Sequence, residues 1–176
     1  GNRAVVPVCE PMTTNTVFDL ASLSKPLGAG SAALLLIEQG RLSADDKVST
    51  YLPAFQTDAT VRDLLTHRSG LPPYMNARVL DSVYTARNIA QLTRQDFLLD
   101  TICRCRRLSP VGEKYRYSCL NFITLQRVVE TIVGEDINTY LWQNLYTVLR
   151  YSRVLPLPNA TIPFVCVARC MTRWHV

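Results

Sequence analysis

Histidine is scarce: His67 and His175 are the two in 176 residues. That is too few to build a zinc site with cysteines at a familiar spacing, and Cys103-x-Cys105 is itself too short a step for one. No run reaches the roughly eighteen continuous apolar residues that a membrane span needs, so no membrane segment is expected. The opening Gly1-Asn2-Arg3 has neither the basic start nor the apolar core of a signal peptide, so no export signal is expected in this chain. No repeat or low-complexity tract occurs. Acidic residues number 14 against 19 lysines and arginines, a net charge of +5. The basic residues are scattered apart from Arg104, Arg106 and Arg107, which lack a recognisable nucleic-acid reading motif or an aromatic platform. Nucleic acid is not an expected partner, and neither metal nor cofactor is expected.

What is present fits one packed domain, with 48% hydrophobic residues. Six cysteines, at 9, 103, 105, 119, 166 and 170, cannot be paired from sequence. They read mostly as buried or incidental thiols, which leaves the redox compartment open.

Along the chain, Val5 to Cys9 is predicted as a short strand and Thr16 to Leu20 as another extended piece. Leu23 to Gln39 is predicted as a long central helix, with Gly40 as its left-handed stop. Its Leu34-Leu35-Leu36-Ile37 run calls for burial on most sides. Thr60 and Asp63 have capping-box spacing ahead of a short helix that Gly70-Leu71-Pro72-Pro73 must end. Thr93 with Asp96 opens another, through Phe97, Leu98 and Ile102 to Cys105. Ser118 is predicted to cap a helix whose inner face is Phe122, Leu125, Val129 and Ile132, ending at Gly134. Ile137 to Leu149 is predicted as a further helix with Tyr140, Leu141, Leu145 and Leu149 inward. Beyond Arg150 no period survives Pro156, Pro158 and Pro163.

The tetrad Ser22-Leu23-Ser24-Lys25 is the most informative motif. A step of three places Lys25 one turn beyond Ser22 on nearly the same face, so its amine can approach the hydroxyl and take its proton. Helix-start amides nearby favour negative charge on a reacting oxygen. The competing reading makes Ser22 an N-cap and Lys25 a surface residue. Tyr117 is the candidate proton shuttle, with Ser118 as cap and Asn121 as a local partner. The competing reading puts Tyr115 and Tyr117 in the core, alternating along a short strand. His67 sits where a helix end passes into a rigid turn, a place that suits an imidazole fixing a loop better than one acting as a base.

Taken together, these segments resemble the serine β-lactamase and penicillin-binding protein superfamily, most closely its class C and esterase-like branch. The stretches that carry the resemblance are Phe18 to Lys25, Gly40 to Val48 and Tyr51-Leu-Pro. They continue with Leu64-Leu-Thr-His67-Arg-Ser-Gly70-Leu-Pro72, Pro110-Val-Gly112, Tyr117-Ser-Cys119-Leu-Asn121-Phe and Thr131-Ile-Val-Gly134. The resemblance implies a serine hydrolase working through an acyl-enzyme on a β-lactam, a peptidoglycan peptide or a simple ester. In it Ser22 is the nucleophile, Lys25 assists its deprotonation and Tyr117 relays the proton. Cys119 takes the place of an Asn or Asp that contacts lysine or substrate, and Asn121 supports it.

The family's third motif, Lys-Thr-Gly or His-x-Gly, does not occur in this sequence, and oxyanion donors beside it are worth about 3 kcal/mol each in comparable sites. The expected fold is therefore α+β, β-lactamase/transpeptidase-like, mostly the helical half with an incomplete antiparallel sheet. Residues 1–149 form the partial domain and 150–176 an atypical tail. The alternative function is a catalytically inactive fragment or binding module of that fold. The resemblance places the full-length parent in the periplasm or outside the cell, acting on a small-molecule or peptidoglycan-derived substrate.

Overall fold

The computed structural model describes residues 1–16, 20–86 and 92–149. The expected tail from Arg150 lies outside the described residues, as does most of the Thr16 to Leu20 segment. Helices dominate, and a two-stranded antiparallel ribbon stands beside them, β1 (Asn2–Ala4) with β2 (Glu10–Pro11). Asn2 pairs with Pro11 and Ala4 with Glu10. This is the α+β architecture read from the sequence, with an incomplete sheet.

The strand expected at Val5 to Cys9 is instead the turn of that ribbon. Pro7 has no amide proton to give a ladder, and Val5, Val6 and Val8 lie exposed. The residues flanking the turn form the ladder in their place, braced by an ion pair from Arg3 Nε to Glu10 at 2.6 Å.

The long helix expected over Leu23 to Gln39 is three joined pieces. A 3₁₀ turn (Ala21–Leu23) passes through Ser24 and Lys25 into a π-helical turn (Pro26–Gly30), then into α1 (Ser31–Glu38). Pro26 supplies no amide to the preceding turn, which explains the break in regular α-helix there. Gly40 follows at φ 68, the left-handed stop expected. Leu36 is buried, but Leu34 is 61% exposed. Four consecutive apolar residues point around the whole helix, whereas the packing partners α6 and α7 cover one side of it.

After α1 come α2 (Val48–Tyr51), α3 (Val61–Leu65), α4 (Ala77–Ala86), α5 (Arg94–Arg104), α6 (Cys119–Val133) and α7 (Ile137–Leu141), which runs into a second π-helical turn (Trp142–Tyr146). The Thr60–Asp63 capping box is complete, and the Thr93 side chain accepts the Asp96 amide at the start of α5. The sequence reading has no helix at α4, whose apolar residues are interspersed with polar ones: Leu80 packs against the edge of the core while Val79 stays exposed. Arg107 grips the end of α5, donating to the carbonyls of Ile102 at 3.1 Å and Cys105 at 2.9 Å while stacking over Phe55. Part of the basic cluster thus closes a helix end.

The centre of the fold is α6 rather than the helix after Ser22. It packs on α1, α2, α3, α5, α7 and the first π-helical turn, and Leu125, Val128 and Val129 are fully buried. Ser118 caps it by accepting the Leu120 amide at 3.1 Å, and Gly134 ends it at φ 75. In the last helix Tyr140 and Leu141 point inward as expected, but Leu149 is exposed. The π-helical turn shifts the period by a residue and brings Tyr146 inward instead, its hydroxyl donating to the Leu27 carbonyl at 2.8 Å.

Candidate active site

The 3₁₀ turn carries Ser22 at the surface and Lys25 beneath it. Ala21, just before the serine, has φ 45. A non-glycine residue pays strain there of about 1 to 3 kcal/mol, which the surrounding packing must hold. The residue capping this turn is Leu20, without a side-chain hydrogen bond, so Ser22 does not serve as the N-cap. Lys25 is 2% exposed and so is not a surface residue. Its amine donates to Ser22 Oγ at 3.4 Å, the approach that a step of three allows.

The loop ahead of α6 brings in the third group. The Tyr117 hydroxyl donates to Ser22 Oγ at 2.9 Å across 95 residues of sequence. The Lys25 amine lies 5.0 Å from the centre of the Tyr117 ring, placing positive charge against its π face. Tyr115 and Tyr117 are both exposed rather than packed in a core. Ser22, Lys25 and Tyr117 therefore meet around one hydroxyl oxygen, and they line a cavity of about 370 Å³ with Leu20, Leu23, His67 and Phe122. The cavity is largely apolar. Such a lining suits a carbonyl compound whose apolar body excludes water from the reacting oxygen.

Cys119 and Asn121 stand behind this arrangement, outside the cavity lining. Cys119 begins α6 as a buried reduced thiol, its amide donating to the Pro73 carbonyl at 2.9 Å. Asn121 is fully buried. Its Oδ1 accepts the Ser69 hydroxyl, and its Nδ2 lies 3.0 Å from His67 Nδ1. The Ser118 amide also points at that nitrogen, from 3.3 Å. A backbone amide can only donate, so Nδ1 must accept, and both the ring's tautomer and the amide orientation of Asn121 follow.

His67 is thus part of the cavity wall, and its ring is spoken for on the Nδ1 side. The signal in the sequence was its place at a helix end before Ser69-Gly70; its ring partners lie about fifty residues away and gave no local sign. Burial, and then the positive charge of Lys25, hold its pKa below the ordinary 6.5. The unfolded chain, with the ordinary value, takes up this proton first as pH falls. The stability that depends on neutral His67 is therefore full above about pH 6.5 and drains away as acid is added through the lowered pKa. Urea midpoints measured from pH 7.5 down to 5 are expected to fall, and a His67→Asn chain is expected to lose less over that range.

Among the described residues no group of three His, Cys, Asp or Glu could hold a metal ion, and no helix is long and apolar enough to cross a membrane.

Comparison with known proteins settles the family. The family model described as "Beta-lactamase" matches residues 4–159. The chain belongs to the beta-lactamase family. Among curated proteins, the chain is similar to the N-acetylmuramyl-L-alanine amidase of Bacillus subtilis (strain 168), 31% identical over 84% of this chain and 35% of that protein. Among solved structures it resembles EstCE1, described as a hydrolase with promiscuous acyltransferase activity, with 28% identity, TM-score 0.63, and coverage of 80% of this chain and 40% of that one. It also resembles a penicillin-binding protein from Bacillus halodurans, with 29% identity, TM-score 0.61, and coverage of 83% and 44%. The chain spans about a third of the length of the curated relatives it matches most fully. These relatives are an amidase, a hydrolase with promiscuous acyltransferase activity and a penicillin-binding protein.

Proposed function

We propose that this chain carries the nucleophile half of a serine hydrolase of the class C and esterase-like branch, acting on an amide or ester. Ser22 Oγ attacks the substrate carbonyl carbon, and its proton passes to Lys25 or Tyr117. That proton then goes to the leaving amine or alcohol as the C–N or C–O bond breaks, which leaves an ester on Ser22. Water attacks that ester, the acid departs, and Ser22 regains its proton. For Tyr117 to be the base, neutral Lys25 first takes the phenol proton; the hydrogen bond to Ser22 then reverses, the serine hydroxyl donates to the phenolate, and its oxygen gains nucleophilic character.

The observation that carries this reading is the Ser22 oxygen, contacted by a phenol at 2.9 Å and an amine at 3.4 Å. Similarity to an amidase and a penicillin-binding protein favours a peptidoglycan-derived peptide or a β-lactam as substrate, and likeness to EstCE1 keeps simple esters in view. Such substrates are met in the periplasm or outside the cell, where the proposed enzyme would act. Incubation with a fluorescent penicillin is expected to label the chain once, with the added mass on the peptide that contains Ser22. Label on any other residue, or none, would refute the proposal.

A second reading, a non-catalytic module of the same fold, is favoured by Cys119. A thiol is a weak hydrogen-bonding group and stands here where the resemblance calls for Asn or Asp. A folded chain that never acylates is its expected result.

A further inference from the structure

His67 takes no part in the proton movements above, although it lines the same cavity. Its contacts converge on the segment that carries Tyr117. The His67 carbonyl accepts the Arg116 amide at 2.8 Å, and its Nδ1 accepts the Ser118 amide at 3.3 Å. The residues on either side of Tyr117 are therefore both tied to this one residue. Between those ties the imidazole lies against the phenol ring, with centroids 4.6 Å apart, and Phe122 meets the imidazole at 5.3 Å. His67 reaches this position with φ 58, a left-handed conformation few side chains adopt readily. Asn121 and Ser69, both fully buried, hold its ring from behind.

We infer that His67, kept neutral with Nδ1 unprotonated, is a positioning residue that sets the Tyr117 phenol against Ser22, and that protonating its ring slows acylation by releasing Tyr117. The inference rests on the reading of Ser22 and Tyr117 given above. A proton on Nδ1 would face the Ser118 amide and the Asn121 Nδ2 donor, so three N–H groups would crowd one point without an acceptor. The groups facing the ring add to this opposition. Lys25 approaches from the turn below, and Tyr115 and Tyr117 come from the loop ahead of α6. From α6 it meets neutral Asn121 and Phe122. On its own loop the neighbouring Arg68 reaches away to the Gly112 carbonyl.

The intact chain gives two readouts. In nitrogen NMR at pH 7, His67 is expected to show Nδ1 as the bare acceptor and Nε2 carrying the proton; a dominant Nδ1–H form would overturn the inference. The second readout is the rate of Ser22 labelling by fluorescent penicillin against pH. His67→Phe keeps a ring beneath Tyr117 without an acceptor, and is expected to label about tenfold more slowly at saturating penicillin, with half-saturation unchanged. His67→Asn supplies an acceptor oxygen near the Nδ1 position and tolerates positive φ, and is expected to recover to within about threefold of the parent chain. It should also lose the acid limb that His67 contributes.

Equal rates and the same acid limb in all three chains would overturn the inference. Should His67→Phe fail to fold by circular dichroism, the pH profile of His67→Asn against the parent decides alone. No labelling of the parent chain would defeat the acyl-enzyme reading itself. The NMR tautomer would then decide the role of His67, the acceptor form supporting the hold on the Tyr117 loop and the Nδ1–H form ending it.

Discussion

Ser22→Ala is expected to lower the rate of covalent labelling by about 10⁴-fold or more, to the background of the unfolded chain. The reason is chemical rather than structural: among the described residues no other nucleophile lines the cavity at the point where Lys25 and Tyr117 converge. The side chain is exposed, and the turn has no cap from it. Thermal unfolding followed by circular dichroism should therefore move little while labelling disappears. A variant that still acquires the label on the same peptide would show that the proposed attack does not run through this oxygen.

Gly70→Ala is expected to destabilise the fold by about 3 kcal/mol or more, visible as a drop in melting temperature of roughly 6 to 12 °C. Gly70 has φ 76, and an added Cβ would run into the backbone carbonyl of Ser109. No flexible side-chain end can move aside there. Two backbone hydrogen bonds fasten these loops together, Leu108 N to Gly70 O and Gly112 N to Arg68 O, both at 2.8 Å. Pushing them apart would also disturb His67 and Ser69, so labelling should slow in whatever fraction remains folded. An alanine chain with an unchanged melting temperature would mean that the two loops do not meet this closely.

Local chemistry made much of this legible from sequence. The capping residues Thr60, Thr93 and Ser118 and the stops Gly40 and Gly134 depend on neighbours within a few residues, and each stands where it was expected. The meeting of Ser22 with Lys25 is likewise a matter of one turn. Tyr117 was a candidate by its place before a helix and by resemblance, since nothing local to it could announce a contact with a residue 95 positions away.

The misreadings have a common cause in tertiary packing. The apolar Val5 to Cys9 stretch reads as a strand until Pro7 and the pairing of Glu10 with Ala4 turn it into a loop. Leu34 looks buried in a run of four, yet no described element covers its side. Leu149 changes places with Tyr146 because a π-helical turn intervenes. His67 was half legible: its neighbours describe a bend where an imidazole fixes a loop, while its ring partners Ser118 and Asn121 come from another part of the chain.

The two ends of the Tyr117–Ser22 contact differ in how firmly they are moored. The phenol stands on a backbone fastened on both flanks, whereas the serine rides on a turn whose Ala21 conformation is costly by itself. When an acyl group attaches, accommodation should fall on the serine's side, with residues 20 to 24 shifting and the tyrosine serving as the stationary landmark.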